Sequence, residues 1–498
     1  MRSLSPWTIF SVIVTAILAS LVFTTDYLPG VDIPQHAGQL AAFYAVEHGT
    51  FPFGNLFRIN WFNPYWIGYA CILLIHTFLG LSTSIKIVAW LALVALPLSV
   101  SYTLKAYKTD PRLCLLVLPT LFGFSFQWGF LNFYIAAPLA IFFLGFFYKS
   151  LNDTSKNTLI AIGLFINVIF FAHALIWAFT MAASFLLCLL TTSIGWEKRK
   201  LKIYSMLSSL ILFVLWYRNT VPSSIHGMYG LVIMDYGIDR FYGVLNSIGL
   251  RDKKTNLILL SLIFLAPGFF GYSFSRVKEK YIPLALVLMI MIFVPSEILD
   301  IAFLYQRFSI FLIPSYLLVI ERTHDNQRKK SYVKYAFILY GTTLILFYWI
   351  MWGEFLEFQQ ESKGFTAILE QMKPNQRVLM LEVNNQCNCF NAPVFLHFPV
   401  WYQANKNGMV DFNTGVAYSA LMRLKHVDTP ANIPGIEWNP LMFNYSFFRP
   451  DIYSYYIVRS HPAFLGYLFR NSHQHVHLIQ ERNGWWLYKN DTLNIQMK

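Results

Sequence analysis

Long uncharged stretches decide what this chain can fold into. Apolar runs recur from about residue 7 to residue 352, and water cannot hold so many of them apart. Charged side chains make up only 13% of the 498 residues and hydrophobic ones 56%, whereas a soluble domain carries about 25% charged residues. A polytopic membrane protein follows. The runs lie near residues 7–24, 65–80, 85–104, 113–128, 131–148, 159–172, 174–193, 203–217, 256–271, 283–295, 301–320 and 333–352. Several are shorter than the roughly 20 residues a straight span needs. Short or broken helices are tolerated where protein or a water-filled cavity covers their ends. The first run is too long for a removed signal peptide and has no small-residue cleavage site, so it reads as a retained helix.

The net charge of +13 does not call for nucleic acid, because much of it falls in short loops between apolar runs. Glu197-Lys-Arg-Lys200 with Lys202, the trio Arg276, Lys278 and Lys280, and the stretch Arg322 to Lys330 mark cytoplasmic sides. That orientation puts residues 218–256, the Ser296–Asp300 turn and everything after Gly353 outside, with loop 25–63 joining them if the amino terminus is inside. It also needs an odd number of crossings, so one run between residues 65 and 193 is re-entrant or merged with a neighbour. From about Glu354 prolines and turn residues replace the apolar runs. Arg377–Glu382, Tyr455–Val458 and Trp485–Tyr488 read as strands, and residues near 364–372 and 462–471 as helices. The expected fold is therefore an all-α membrane domain of about 11–13 spans over 1–353, followed by a small extracytoplasmic α/β domain over 354–498.

Polar chemistry has few places in such a chain. An acid and a base stand four residues apart in Asp32-Ile-Pro-Gln-His36, just past the first span, which makes a candidate active site for a lipid-linked substrate. The alternative for Asp32 is the start signal of a helix over Ala37 to His48. His36 can orient Asp32, bind phosphate, or be a simple surface histidine. Glu47 and His48 fall at that helix's end, where solvated side chains are the rule. The five cysteines form no disulfide framework or zinc spacing, and the two-residue spacing of Cys387 and Cys389 strains an internal bridge.

Asp32-Ile-Pro-Gln-His36, the helix-like stretch to His48, Gly49-Thr-Phe-Pro52 and Trp61-Phe-Asn-Pro-Tyr-Trp66 together resemble the GT-C superfamily. These are the integral-membrane glycosyltransferases that use polyprenyl-phosphate-linked sugars, among them the protein O-mannosyltransferase and aminoarabinose transferase groups. The resemblance implies an acidic residue in the first outer loop, many spans, and an outer carboxy-terminal domain. It implies a polyprenyl-phosphate sugar donor drawn from the membrane lipid, and a glycan, lipid or protein acceptor, with no nucleic acid. It also implies a bacterial cytoplasmic membrane. Some members carry paired acids where this chain has one Asp, so no cofactor is called for and a divalent metal stays open.

On that reading Asp32 activates the acceptor hydroxyl as general base, and an arginine holds the departing phosphate. Arg307, six residues into an apolar run, lies roughly 9 Å deep at 1.5 Å per residue. An arginine at such depth is costly unless it faces a cavity or a partner. Glu297 and Asp300, about three and two turns earlier, are its structural partners in the alternative reading. Arg218 and Arg58 are weaker phosphate candidates. His173 reads as a core histidine bonded to a backbone carbonyl or as a cavity-lining group, and Asn132 as satisfying a tight turn between spans. Tyr229, Asp235, Tyr236, Asp239, Arg240 and Tyr242 suit sugar stacking and an interfacial aromatic belt alike. His473, His475 and His477 alternate as on a strand face, without a nearby carboxylate or cysteine to complete a zinc site. Two rivals remain: a transporter or flippase for lipid-linked glycans, and a non-catalytic membrane protein with a partner-binding outer domain.

Overall fold

A computed structural model describes residues 6–220, 232–235, 237–298, 301–322, 330–411, 417, 420–425, 436–448, 450–472 and 475–491. In chain order its helices are α1 (Pro6–Ala19), α2 (Ile33–Glu47), α3 (Trp66–His76), α4 (Leu81–Ala106), α5 (Phe124–Gln127), α6 (Leu131–Ser150), α7 (Lys156–Ala172), α8 (Ala174–Leu190) and α9 (Trp196–Thr220). They continue as α10 (Ile238–Leu245), α11 (Lys253–Phe269), α12 (Ile282–Phe293), α13 (Leu304–Arg307), α14 (Leu312–Leu318), α15 (Lys330–Glu370), α16 (Trp401–Lys406) and α17 (Pro462–Leu468). Four segments are long and apolar enough to cross a membrane: α4, α6, α9 and the Ile338–Glu370 part of α15. Shorter apolar helices accompany them, α3, α7 and α8 included. The chain is an integral membrane protein.

Two expected spans are not straight helices, and in each the backbone explains the break. Residues 113–128 form a 3₁₀ stretch, Pro111–Thr120, and then the four-residue α5. Pro119 removes a donor from the ladder, and Gly123 is pressed so close to Ser247 that a Cβ would stand 2.4 Å from its carbonyl oxygen. The run 301–320 is divided into α13 and α14 by a 3₁₀ turn, Phe308–Phe311. It opens on Phe303 in the left-handed region at φ 59°, a conformation that bulky residues adopt only where packing holds them.

The carboxyl-terminal region holds a five-stranded sheet of β4 (Arg377–Glu382), β5 (Met409–Val410), β7 (Tyr455–Arg459), β8 (Val476–Arg482) and β9 (Trp485–Asn490) in the order β5-β4-β7-β9-β8. β4 runs parallel to both β5 and β7, while β9 is antiparallel to β7 and β8. All three expected strands are present, each close to its expected bounds. α15 reaches this sheet without a break: its 41 residues span about 60 Å, twice the hydrocarbon thickness, and pass straight through residue 353. At its far end the Trp485 Nε1 donates to Glu361 O at 3.1 Å, and Arg459 pairs with the Glu361 carboxylate at 2.5 Å.

The first loop is stitched to the same region. β1 (Phe57–Ile59) pairs antiparallel with β6 (Met422–Leu424), and α2 packs on α16. The Gln403 side chain donates to Gly38 O at 2.9 Å, and Met422 N donates to Gln39 Oε1 at 2.6 Å. A second ribbon joins β2 (Tyr272–Phe274) to β3 (Ile320–Arg322). Contrary to expectation, Cys387 and Cys389 are joined as a disulfide. His473 lies outside the described residues. His477, on β8, pairs with Asp491 at 2.9 Å, a carboxylate brought in from the far end of β9.

Candidate active site

Asp32 ends a turn fastened to the segment before α6. Val31 N donates to Gln127 O and Asp32 N to Trp128 O, both at 3.0 Å. The fit depends on glycine. Gly129 has φ +69°, and a Cβ there would lie 2.8 Å from Asp32 N and Ile33 N. Asp32 is the N-cap residue of α2, yet its side chain makes no capping bond. That carboxylate instead meets His397, whose Nδ1 lies 3.1 Å from Asp32 Oδ1. His397 Nε2 faces Glu437 Oε2 at 3.7 Å. One imidazole thus bridges an acid of the first loop and an acid of the carboxyl-terminal region.

Burial works against a charged His397, but hydrogen bonding to Asp32 and Glu437 and the charges of both outweigh it and raise the imidazole to about 10. Glu382, at the end of β4, is buried, and burial pushes its carboxyl well above the usual range despite the lowering influence of His397. His36 sits one turn along α2, with Nδ1 2.8 Å from the Tyr69 hydroxyl. Its burial lowers its imidazole, opposed by the charge of Asp32, so it is the neutral histidine of the two. Glu47 and His48 close the far end of α2, about 20 Å along the helix, where His48 Nδ1 lies 2.7 Å from Tyr44 O.

Arg307 reaches the same segment. Its guanidinium lies over the Phe130 ring, 3.7 Å from the centroid, and donates to Ala302 O at 2.9 Å. Ser125 Oγ donates to Arg307 O at 3.1 Å. Its charge also acts on Tyr65 and His173. Ser125–Phe130 therefore contacts both the Asp32 turn and Arg307. Trp128 continues the contact: its ring packs on Phe303 at 4.0 Å, the residue that opens α13.

The remaining candidates are spread more widely. His173 fills the break between α7 and α8, where Nδ1 accepts from Leu175 N at 3.2 Å and the ring stands edge-on to Tyr65 and Phe133. It accepts a backbone N–H, rather than donating to a carbonyl. Asn132, in the first turn of α6, lies against Gly68, whose missing side chain makes room for it. Glu297 bonds through its backbone to Ile233, and Asp300 lies outside the described residues. Arg218 is exposed at the end of α9, a helix packed on α7 and α8. Arg58 faces Arg423 across the β1–β6 ribbon, away from the Asp32 turn. Asp235 accepts from Tyr305 OH at 2.9 Å, Ser296 Oγ at 3.1 Å and Gln306 Nε2 at 3.3 Å. Arg240 donates to Asp235 O, Met291 O and Val294 O. These two hold loop and helix together. Tyr229 and Tyr236 lie outside the described residues, as do the side chains of Asp239 and Tyr242.

His397, Glu437 and Glu382 had no signal in the sequence that tied them to Asp32. Among the described residues no three His, Cys, Asp or Glu side chains gather as a metal site.

The chain thus joins a helical membrane region to a carboxyl-terminal region that grips its first loop through β6 and α16. The chain superposes on ArnT from Cupriavidus metallidurans bound to undecaprenyl phosphate with a TM-score of 0.54 and 12% identity, covering 98% of each chain. It also superposes on the arabinofuranosyltransferase AftD from Mycobacteria with a TM-score of 0.54 and 9% identity, covering 98% of this chain and 40% of AftD. No protein-family model and no curated protein sequence matches the chain. At these identities the likeness shows a shared fold.

Proposed function

We propose that this protein is a membrane glycosyltransferase that moves a sugar from a polyprenyl-phosphate donor to an acceptor, with Asp32 as general base and Arg307 as phosphate-holding group. The observation that carries the reading is the attachment of both residues to the same short segment, Ser125–Phe130. The fold shared with ArnT bound to undecaprenyl phosphate supports a lipid phosphate as the donor's carrier. The donor enters laterally from the bilayer.

His397 engages Asp32 Oδ1, and Oδ2 is the oxygen that takes the acceptor proton. The acceptor oxygen attacks the anomeric carbon as the bond from that carbon to the phosphate oxygen breaks. The proton passes to Asp32, and the leaving polyprenyl phosphate keeps the electron pair, its growing charge met by Arg307. A guanidinium suits that role because it is always charged and presents several fixed donors. The basic loops favour placing this site, and the region after Gly353, at the outer face of the membrane, and the resemblance to GT-C enzymes implies that this is a bacterial cytoplasmic membrane.

The test is sugar transfer by purified protein given radiolabelled undecaprenyl-phosphate pentoses and hexoses, with a membrane extract as acceptor pool. Loss of a general base costs about 10²–10⁴-fold, so Asp32→Asn is expected to fall by at least a hundredfold. Arg307→Gln is expected to weaken donor binding as well as turnover. Full activity in Asp32→Asn overturns the reading. Label that only changes leaflet identifies a flippase instead.

A further inference from the structure

The acids flanking His397 and the tryptophan beside them form a face that the donor chemistry does not use. We propose that Asp32, Glu437 and Trp438 bind a neutral carbohydrate as the acceptor. The inference rests on the transferase reading and specifies its second substrate.

Three observations lead to it. First, the two carboxylates reach the surface while the cation between them does not: the side chains of Asp32 and Glu437 are 27% and 33% exposed, and that of His397 10%. The rim therefore offers carboxylate oxygens, which accept from hydroxyl groups and repel phosphate or carboxylate. Secondly, Trp438 follows Glu437 directly and is 51% exposed, although its ring lies 6.3 Å from that of Trp128. An exposed indole fixed beside hydrogen-bonding carboxylates offers an apolar plate to the C–H face of a sugar ring and a polar handle at its edge. Thirdly, Glu382 behind His397 is 2% exposed, and its Oε1 has no hydrogen-bond partner among the described residues. Buried polar atoms are otherwise almost always bonded, so the end of β4 holds a carboxyl oxygen open to one more hydrogen-bond partner.

The sheet's topology agrees with this placement. The chain leaves β4 for β5 on one side and then crosses to β7 on the other. In open α/β sheets ligands bind beyond the carboxyl ends of the strands at such a reversal. Glu382 is the last residue of β4, and Asp32 comes to that end through His397.

The experiment uses the full-length protein in detergent and isothermal calorimetry with three probes: neutral oligosaccharides of arabinan, mannan and glucan type, a phosphorylated glycan, and a serine-rich peptide. A neutral oligosaccharide is expected to bind, with Trp438→Ala weakening it at least tenfold, Glu437→Gln about fivefold, and Trp438→Phe restoring most of the loss. In the transfer assay Trp438→Ala is expected to raise the acceptor KM tenfold and leave the donor KM within twofold. Thermal unfolding midpoints matching the wild type show that the variants are folded. Equal binding of the phosphorylated glycan or the peptide overturns the proposal, as does unchanged oligosaccharide binding in Trp438→Ala. A Trp438 that responds only to lipid vesicles overturns it too, making that residue a membrane anchor. Oligosaccharide binding without transfer from any donor removes the transferase reading and leaves the carbohydrate face standing. Transfer lost in Asp32→Asn but indifferent to Trp438 does the reverse.

Discussion

His397 decides how the chain responds to alkali. Its folded imidazole is held at about 10 against an unfolded value near 6.5. Its pairing with Asp32 and Glu437 therefore stabilises the fold fully below about pH 6.5, and that contribution is lost progressively as pH rises through about 10. The thermal midpoint in detergent is expected to fall between pH 7 and pH 10 more steeply for the wild type than for His397→Gln. Identical slopes would contradict the pairing. At this scale the sequence reveals a residue only when its surroundings make it odd. Asp32, His36 and Arg307 stood out because ionic groups are rare beside apolar runs. His397, Glu437 and Trp438 sit in a stretch of ordinary composition, where one more histidine or glutamate carries no signal. Gly129 was likewise invisible, since only the approach of the Asp32 backbone gives it meaning.

Short elements do the positioning. α13 has four residues, too few to hold itself by helix propensity, so its geometry comes from what touches it. Asp235 binds Tyr305 and Gln306, the two residues before Arg307, and Phe303 is packed on Trp128. Asp235→Ala removes the acceptor for three donors and is expected to weaken undecaprenyl phosphate binding three- to tenfold through Arg307, while Asp32-dependent acceptor steps are unaffected. Calorimetry with the lipid phosphate alone checks it, and an unchanged affinity would separate Asp235 from the guanidinium. Long apolar helices such as α4 and α6 were plain in the sequence because length and hydropathy specify them. The broken ones were not, because a 3₁₀ stretch and a left-handed phenylalanine arise from tertiary packing that no local pattern records. The bridge at Cys387–Cys389 is a further case, formed despite a spacing that argued against it.

At the scale of the molecule, residues from the first loop and from the last quarter of the chain share one core. Gln403 reaches Gly38, and Gln39 reaches Met422, both buried. Gln403→Leu removes a second donor from the Gly38 carbonyl and leaves the buried Val410 N–H without the Gln403 Oε1 acceptor, a cost of about 1–3 kcal/mol. It is expected to lower the thermal midpoint and to expose the first loop to limited proteolysis ahead of the helices. Protection equal to the wild type would show that the clamp lies elsewhere. The division into helices followed by a sheet was legible from composition. This interlock was not, because it depends on pairings between positions hundreds of residues apart.

The order of synthesis gives the interlock a further meaning. Met422 bonds a residue made 383 positions earlier, a delay of roughly 20 to 80 s at usual elongation rates of about 5–20 residues per second. Until then the proposed base has neither its histidine nor its ribbon. On the proposed reading, a nascent chain already surrounded by lipid is thus inert until residues as late as His397 and Met422 have been made.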